Sequence, residues 1–238
     1  MRDSDNKFFS FFRGKLFLYQ PKKHKVSVDL VIFLSKVRGI KRSSKVVDLG
    51  AGFGFTSIVL AKKFGVKVTA VEIDQDMLSL LRKNLELNDL SHLVEVVSAD
   101  IREIEKYFKK GSFDVVVTNP PFYPKEYSPS PDPYHFELRG SLLDFIRASA
   151  YLLRDGGYLN LFVPSFRLAE AFYYLQEYNL PPRFLSLIYP TLRKRSKLSI
   201  IVSVKNLKGP LEIDKPLIIN EEGGNYTEEV RHLLENFL

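Results

Sequence analysis

From Lys45 onward the sequence alternates short β-branched runs with stretches of helical period, and this alternation restricts the fold more than any other feature. The strand candidates are KVVDL (45–49), VKVTAVEI (66–73), LVEVVSA (93–99), FDVVVT (113–118), YLNLFVP (158–164), RFLSLIY (183–189) and LSIIVSVK (198–205). Helix candidates lie among the first six, including 55–64, 75–88, 141–153 and 167–178. Strands joined through helices run parallel, with helices on both faces of the sheet. Only residues 190–197 separate the last two strands, too few for a helical crossover, so this pair is antiparallel. The pattern predicts an α/β fold: a doubly wound, mostly parallel seven-stranded sheet ending in an antiparallel β-hairpin.

At 238 residues the chain has room for one such domain, and 1–238 is expected to form it. Residues 1–44 form an approach segment. Within it, VSVDLVIFLSKV (26–37) reads as a helix capped by Ser27, and LFLYQPKKHK before it mixes a short strand candidate with a basic turn. The chain has no cysteine and four scattered histidines, so neither a thiolate nucleophile nor a metal centre is expected. No apolar run approaches the roughly 18 residues of a membrane span, and the N-terminus lacks the core of a secretion signal; both point to the cytoplasm.

The first strand runs into Asp48-Leu49-Gly50-Ala51-Gly52-Phe53-Gly54 and then a helix. Glycines at a strand-to-helix turn let the backbone approach a ligand and leave helix N–H groups open to it. The spacing excludes two common ligand loops. A dinucleotide-binding G-x-G-x-x-G needs glycine where Phe55 stands, and no Gly-Lys-Ser/Thr follows. Glu72, followed by Ile73, ends the second strand, where a carboxylate can accept both hydroxyls of a ribose; Asp100 and Ile101 end the third. Any one of these acids alone would read as a cap on the next helix. Their common edge with the glycine loop favours a ligand site, because open parallel sheets bind ligands at the carboxyl ends of their strands.

The fourth strand ends in Asn119-Pro120-Pro121-Phe122. Each proline holds its predecessor extended and fixes its own φ, so the corner is rigid. A bare Pro-Pro dipeptide more often just terminates a strand, but on a ligand edge it has a chemical use. The exocyclic amine of adenine is a weak nucleophile because its lone pair is delocalised into the ring. In methyltransferases, which the glycine loop and this corner together resemble, the Asn119 side-chain oxygen and the Pro120 carbonyl would accept its two N–H groups and turn the lone pair toward a methyl donor, while Phe122 stacks on the base. No strong general base is required.

The loop D-x-G-x-G-x-G followed by Asn-Pro-Pro-Phe resembles the class I, Rossmann-like methyltransferases, whose cofactor is S-adenosylmethionine. The resemblance implies Asp48, Gly50, Gly52, Gly54, Glu72, Ile73, Asp100, Ile101 and Asn119 as cofactor-binding positions, with Asp48 helping to hold the methionine amino group. It implies Asn119, Pro120, Pro121 and Phe122 as catalytic positions. In that class the motif serves nucleobase amines and also the side-chain amide of glutamine, so it identifies the nucleophile class and leaves the substrate open. Across nearly the whole chain, YQPKKHKVSVDLVIFLSKV, VVDLGAGFGFTSIVLA, TNPPFY and PLIINEEGGNYTEEV are similar to the bacterial valine-tRNA adenine-N6-methyltransferase family, which modifies the adenosine beside the anticodon. The segment carrying Ser27 and Asp29 closes over the cofactor in such enzymes, which makes these two further cofactor-binding positions. The loop after the motif departs from the family: its Ala-Arg-His-Glu-like stretch is replaced by one in which His135, Glu137 and Arg139 follow in a different order.

A formal charge of +7 and a pI near 9.3 suit a polyanionic partner or a merely solvated basic surface, and placement must decide between them. Basic residues gather at Lys22, Lys23, His24 and Lys25, and at Arg193, Lys194, Arg195 and Lys197 in the hairpin turn. If the sixth strand is parallel to the others, that turn emerges on the ligand edge, as does the 123–139 loop with its tyrosines and Arg139. Lys22, Lys23, Arg139, Arg193, Lys194, Arg195 and Lys197 are therefore the substrate-binding candidates, and a basic, aromatic rim suits single-stranded or loop RNA. The expected activity is methyl transfer to N6 of a tRNA adenosine, beside the anticodon of a valine tRNA. Two readings compete with it: a glutamine-N5 methyltransferase acting on a release factor or ribosomal protein, and a non-catalytic RNA-binding module on the same fold.

Overall fold

The computed structural model describes residues 6–21, 25–132 and 135–238; Lys22, Lys23, His24 and Tyr134 lie outside them. The alternating region forms β3 (Val46–Leu49), α2 (Phe55–Phe64), β4 (Val68–Glu72), α3 (Gln75–Leu87), β5 (Val94–Ser98), β6 (Phe113–Thr118), α4 (Leu142–Leu152), β7 (Leu153–Pro164), α5 (Leu168–Glu177), β8 (Pro182–Tyr189) and β9 (Leu198–Val204). Before it come a hairpin of β1 (Asn6–Phe11) and β2 (Leu16–Pro21), then α1 (Val28–Ser35); after it come β10 (Glu212–Ile213), β11 (Leu217–Ile218) and α6 (Glu228–Asn236).

The sheet runs β10-β8-β9-β7-β6-β3-β4-β5, with β11 also on β8. Pairings among β3 to β7 are parallel, and β9 is antiparallel to both its neighbours, β7 and β8. The hairpin expected at the end of the sheet is therefore folded inward, with its second strand between β7 and β8. This explains the apolar run in β9, whose seven residues are all buried. The seven expected strands become nine through β10 and β11, two-residue strands too short to show a period. β7 also starts earlier than expected: Phe113 pairs with Leu153, and pairing resumes at Val115 with Tyr158 after a break in register.

Side chains alternate across the strands into two cores. Val115 and Val117 of β6 join α1, α2, α3 and the N-terminal hairpin on one face, whereas Val116 joins α4 and α5 on the other. That is why a run such as VVV suits a central strand with both faces covered. The N-terminal hairpin was only half legible, since the sequence suggested β2 and not β1. It is held to α3 by two asparagines one turn apart. Asn84 exchanges hydrogen bonds with the Tyr19 backbone (2.8 and 2.9 Å), and Asn88 does the same with Phe17. The C-terminal helix α6 starts at Thr227, whose hydroxyl caps Val230 N and donates to the Ile218 carbonyl. Among the described residues no helix is long and apolar enough to cross a membrane.

Candidate active site

Strand order reverses between β3 and β6, and a cavity of about 480 Å³ opens there at the carboxyl ends of the strands. Thr118 fixes the seam: its hydroxyl, buried at the end of β6, donates to the Leu49 carbonyl at the end of β3 (2.9 Å). The glycine loop and the Asn-Pro-Pro-Phe corner are thus held side by side.

On the β3 side, Gly50 and Ala51 donate their N–H groups to the Val71 carbonyl (2.9 and 3.0 Å), which bends the loop toward β4. Gly52 lines the cavity at φ +55°, and a Cβ there would meet nothing within 4 Å, so this residue keeps open a space for a ligand. Gly54 is not part of the cavity lining. It packs against Leu81, where a Cβ would come within 2.9 Å of that side chain, and it begins α2 with no side-chain cap. Glu72 is oriented by three N–H groups: Gly52 on one oxygen (2.8 Å), Ile73 and Asp74 on the other (2.8 and 2.9 Å). A carboxylate has about four lone-pair sites, so capacity remains for a ligand's hydroxyls. Asp48, 2 % exposed, accepts from the Ser57 hydroxyl (2.6 Å). Burial pushes its pKa from 3.8 up to about 7; the Ser57 hydrogen bonds pull it down and the nearby Glu72 charge pushes it up.

Ser27 caps α1 by accepting from Leu30 N, and Ser27 and Asp29 both line the cavity. The preceding Gln20-Pro21 element has a clear part in this: the Gln20 side chain, buried, accepts from Val26 N (2.8 Å) and so fixes where α1 begins. Burial raises the Asp29 pKa and the charge of Lys197, which lines the same cavity, opposes that rise. Ile101 lines the cavity but Asp100 does not; it caps the 3₁₀ turn at Ile101–Lys106 and binds the Arg102 guanidinium through both oxygens.

The acceptor side carries Asn119, Pro120, Pro121 and Phe122, all lining the cavity. Asn119 Oδ1 is buried and has no hydrogen-bond partner. Such an atom costs roughly 1–3 kcal/mol to leave unsatisfied, which marks it as an acceptor waiting for a donor. The Phe122 ring meets Phe162 edge to face (centroids 5.7 Å), and Phe162 stacks on Phe33 of α1 (5.0 Å).

The reordered loop residues have defined partners. Glu137 accepts from Leu142 N (2.6 Å) and from Arg167 Nη1 (2.8 Å), and Arg167 also binds both oxygens of Glu170. The Arg167 side chain is 3 % exposed; burial alone would lower its pKa, and the two carboxylates raise it. The cation also lies 3.5 Å from the Phe122 carbonyl, which braces the corner from behind. Arg139 lines the cavity and pairs with Asp74, the cap of α3, tying the loop to the β4 edge. Burial would raise the Asp74 pKa, but Arg139 and the helix N–H groups hold it below the usual range. Of the basic hairpin residues, Lys197 lines the cavity, whereas Arg193, Lys194 and Arg195 sit exposed on the turn beside it. Sequence reasoning missed Ser57, Asn84, Thr118 and Arg167; Asn84, Thr118 and Arg167 have partners 30 or more residues away, and only the unusual Asn84-x-x-x-Asn88 pair carries a local signal.

The sequence pattern of the methyltransferase small domain family matches residues 27–172, more than half of the chain. This chain belongs to that family. A tRNA1(Val) (adenine(37)-N6)-methyltransferase of Christiangramia forsetii is 26 % identical over 198 residues, covering 81 % of each chain. An rRNA N(6)-adenosine-methyltransferase of Caenorhabditis elegans is 27 % identical over 133 residues, 56 % of each. A predicted O-methyltransferase of Agrobacterium tumefaciens has the same fold, with a TM-score of 0.69 and 24 % identity over 87 % of this chain and 95 % of its own. The fold is that of the class I methyltransferases, and S-adenosylmethionine is the cofactor of this methyltransferase. The site suits that molecule: a buried carboxylate for an ammonium, an oriented carboxylate for ribose hydroxyls, and the side chains of Ile101 and Phe145 as apolar walls.

Proposed function

We propose that this methyltransferase modifies the exocyclic N6 amine of an adenosine in tRNA, beside the anticodon of a valine tRNA. The observation that carries the reading is the unpartnered Asn119 Oδ1 at a rigid corner, next to the Phe122 ring, in the cavity that also holds the glycine loop. An unpartnered acceptor is suited to an N–H donor, and a flat aromatic ring to a base. The likeness to tRNA1(Val) enzymes over most of their length supports tRNA as the substrate.

Bound S-adenosylmethionine supplies an electrophilic sulfonium methyl. Asp48, Glu72 and the Gly52 backbone are the residues suited to hold it, with Ser27 and Asp29 closing from α1. Gly54 shapes the loop, and Asp100, already paired with Arg102, fixes the turn that presents Ile101. Asn119 Oδ1 and the Pro120 carbonyl accept the two amine hydrogens, which draws the nitrogen lone pair out of conjugation. Phe122, backed by Phe162, holds the base plane. These groups act by position and preorganised electrostatics, contributions that can reach several kcal/mol without proton transfer in the first step. Lys197, Arg139, Arg193, Lys194 and Arg195 are suited to the RNA backbone around the mouth, with Lys22 and Lys23 as further candidates.

Mass spectrometry of nucleosides from bulk tRNA, incubated with and without the enzyme and methyl donor, tests the reading. N6-methyladenosine rising in valine tRNA is the expected outcome. Methylglutamine in a protein fraction, with tRNA unchanged, would instead identify a glutamine side chain as the acceptor.

A further inference from the structure

An aromatic ladder runs outward from the core through the acceptor corner. Phe33 stacks on Phe162, Phe162 meets Phe122, Phe122 meets Tyr123 (6.4 Å), Tyr123 stacks on Phe166 (6.0 Å, 18° between planes), and Phe166 stacks on Tyr127 (6.3 Å, 21°). Phe33 and Phe162 are buried, Phe122 and Tyr123 are half-buried along the cavity, and the outer two are exposed. Phe166 is 57 % exposed and Tyr127 is 66 % exposed. Single exposed aromatics are ordinary on protein surfaces. Two of them stacked nearly parallel, and joined by Tyr123 and Phe166 to the lining of the reaction cavity, form a surface with a direction.

The mounting of these rings is stiff. Ser165 donates its N–H to the Lys197 carbonyl (3.0 Å), and its hydroxyl bonds to those of Ser196 and Ser199 (2.7 and 2.8 Å). On the other side of Phe166, Arg167 is fixed by Glu137 and Glu170. Tyr123 is tied to the far end of its loop by bonds from its N–H to the His135 carbonyl (2.9 Å) and from Glu137 N to its own carbonyl (3.0 Å). The exposed ring of Phe166 is thus presented between two anchored neighbours. The Ser165 bonds also set it directly beside the hairpin turn that carries Arg193, Lys194, Arg195 and Lys197, and Lys125 shares the 3₁₀ turn of Tyr127 with Glu126.

We propose that Phe166 and Tyr127 form a stacking platform for an unpaired nucleobase adjacent to the target adenosine, with the basic hairpin turn taking the intervening phosphates. The inference rests on the proposed RNA reaction and adds to it a site outside the reacting centre. The chemistry favours a base over other occupants: an aromatic face stacks on any nucleobase, and nearby cations match the backbone that links two nucleotides. It also explains how an enzyme with a rigid corner draws in one base from a loop. The neighbouring base is stacked on the outer rungs, and the target base is left to enter against Phe122.

The test uses the full-length protein and a valine anticodon stem–loop, with steady-state methyl transfer measured for the wild type, F166A, Y127A and the double variant. Each alanine should raise KM for RNA by about 5- to 150-fold, with little change in kcat or in cofactor affinity, and F166Y and Y127F should restore it. Stem–loops with an abasic site 5′ or 3′ of the target supply the decisive control. Removing the stacked base should raise the wild-type KM and cancel the effect of F166A. An unchanged KM in the double variant, or an F166A penalty that persists with both abasic substrates, overturns the platform while leaving the RNA reaction intact. Methyl transfer by the wild type to protein but to no RNA overturns the reaction itself.

Discussion

The two walls of the cavity differ in how completely the protein satisfies its own polar groups. On the cofactor wall, Glu72 takes three backbone N–H bonds and Asp48 takes the Ser57 hydroxyl. On the acceptor wall, Asn119 Oδ1 is buried without a partner and aromatic rings lie open at the rim. The first wall is preorganised by folding. The second keeps an unsatisfied acceptor and open rings, which is why the proposed reaction puts the substrate there.

The sharpest way to break this comparison is N119A. Loss of a preorganised acceptor should lower kcat by about 10²–10³-fold while cofactor affinity stays near the wild-type value. Equal loss of cofactor binding, measured by calorimetry, would show that the two walls are not separable.

Protonation of Asp48 probes the other wall. In the cofactor-free protein its carboxyl titrates at about 7, so below that pH it is neutral and cannot pair with an ammonium. Cofactor affinity should therefore weaken as pH falls below about 7, by up to about tenfold per unit, and this slope should vanish in D48N. The same shift sets the sign for stability without cofactor. The folded state holds a proton that the unfolded state has released between about pH 4 and pH 7, so stability falls as pH rises through that window. A pH-independent affinity in the wild type would remove Asp48 from the assigned role.

A smaller effect is expected where the scaffold meets the cofactor wall. Asn84, fully buried, donates to the Phe53 carbonyl in the glycine loop and to the Tyr19 carbonyl in the hairpin (both 2.9 Å). N84A should cost about 1–3 kcal/mol of stability, read from the urea midpoint, and raise the cofactor dissociation constant more than KM for RNA. The reverse pattern would place Asn84 with the acceptor wall.

Much of the architecture was legible because it is decided locally. The strands 113–118 and 183–189 and the helix 55–64 follow from period and from the glycines and prolines that bound them, and the Ser27 cap follows from its position before an apolar helical run. The cofactor edge was legible too, since strand ends in a parallel sheet share one side. Less could be read where the partner of a residue is remote. The apolar run in LSIIVSV suits a covered strand but does not name β7 and β8 as its neighbours, and the pairing of Arg167 with Glu137 spans 30 residues.

The amino-acid sequence by itself determined the alternation of elements, the freedom of the glycine loop to turn and the rigidity of the Asn-Pro-Pro-Phe corner, because φ restrictions and side-chain period act within a few residues. Only the tertiary structure decided that Thr118 clamps β6 to β3, that Arg167 reaches Glu137 behind the acceptor corner, and that six aromatic rings from three separate stretches line up from core to rim. Those outcomes depend on which distant surfaces pack together, and packing is settled by the whole sheet at once.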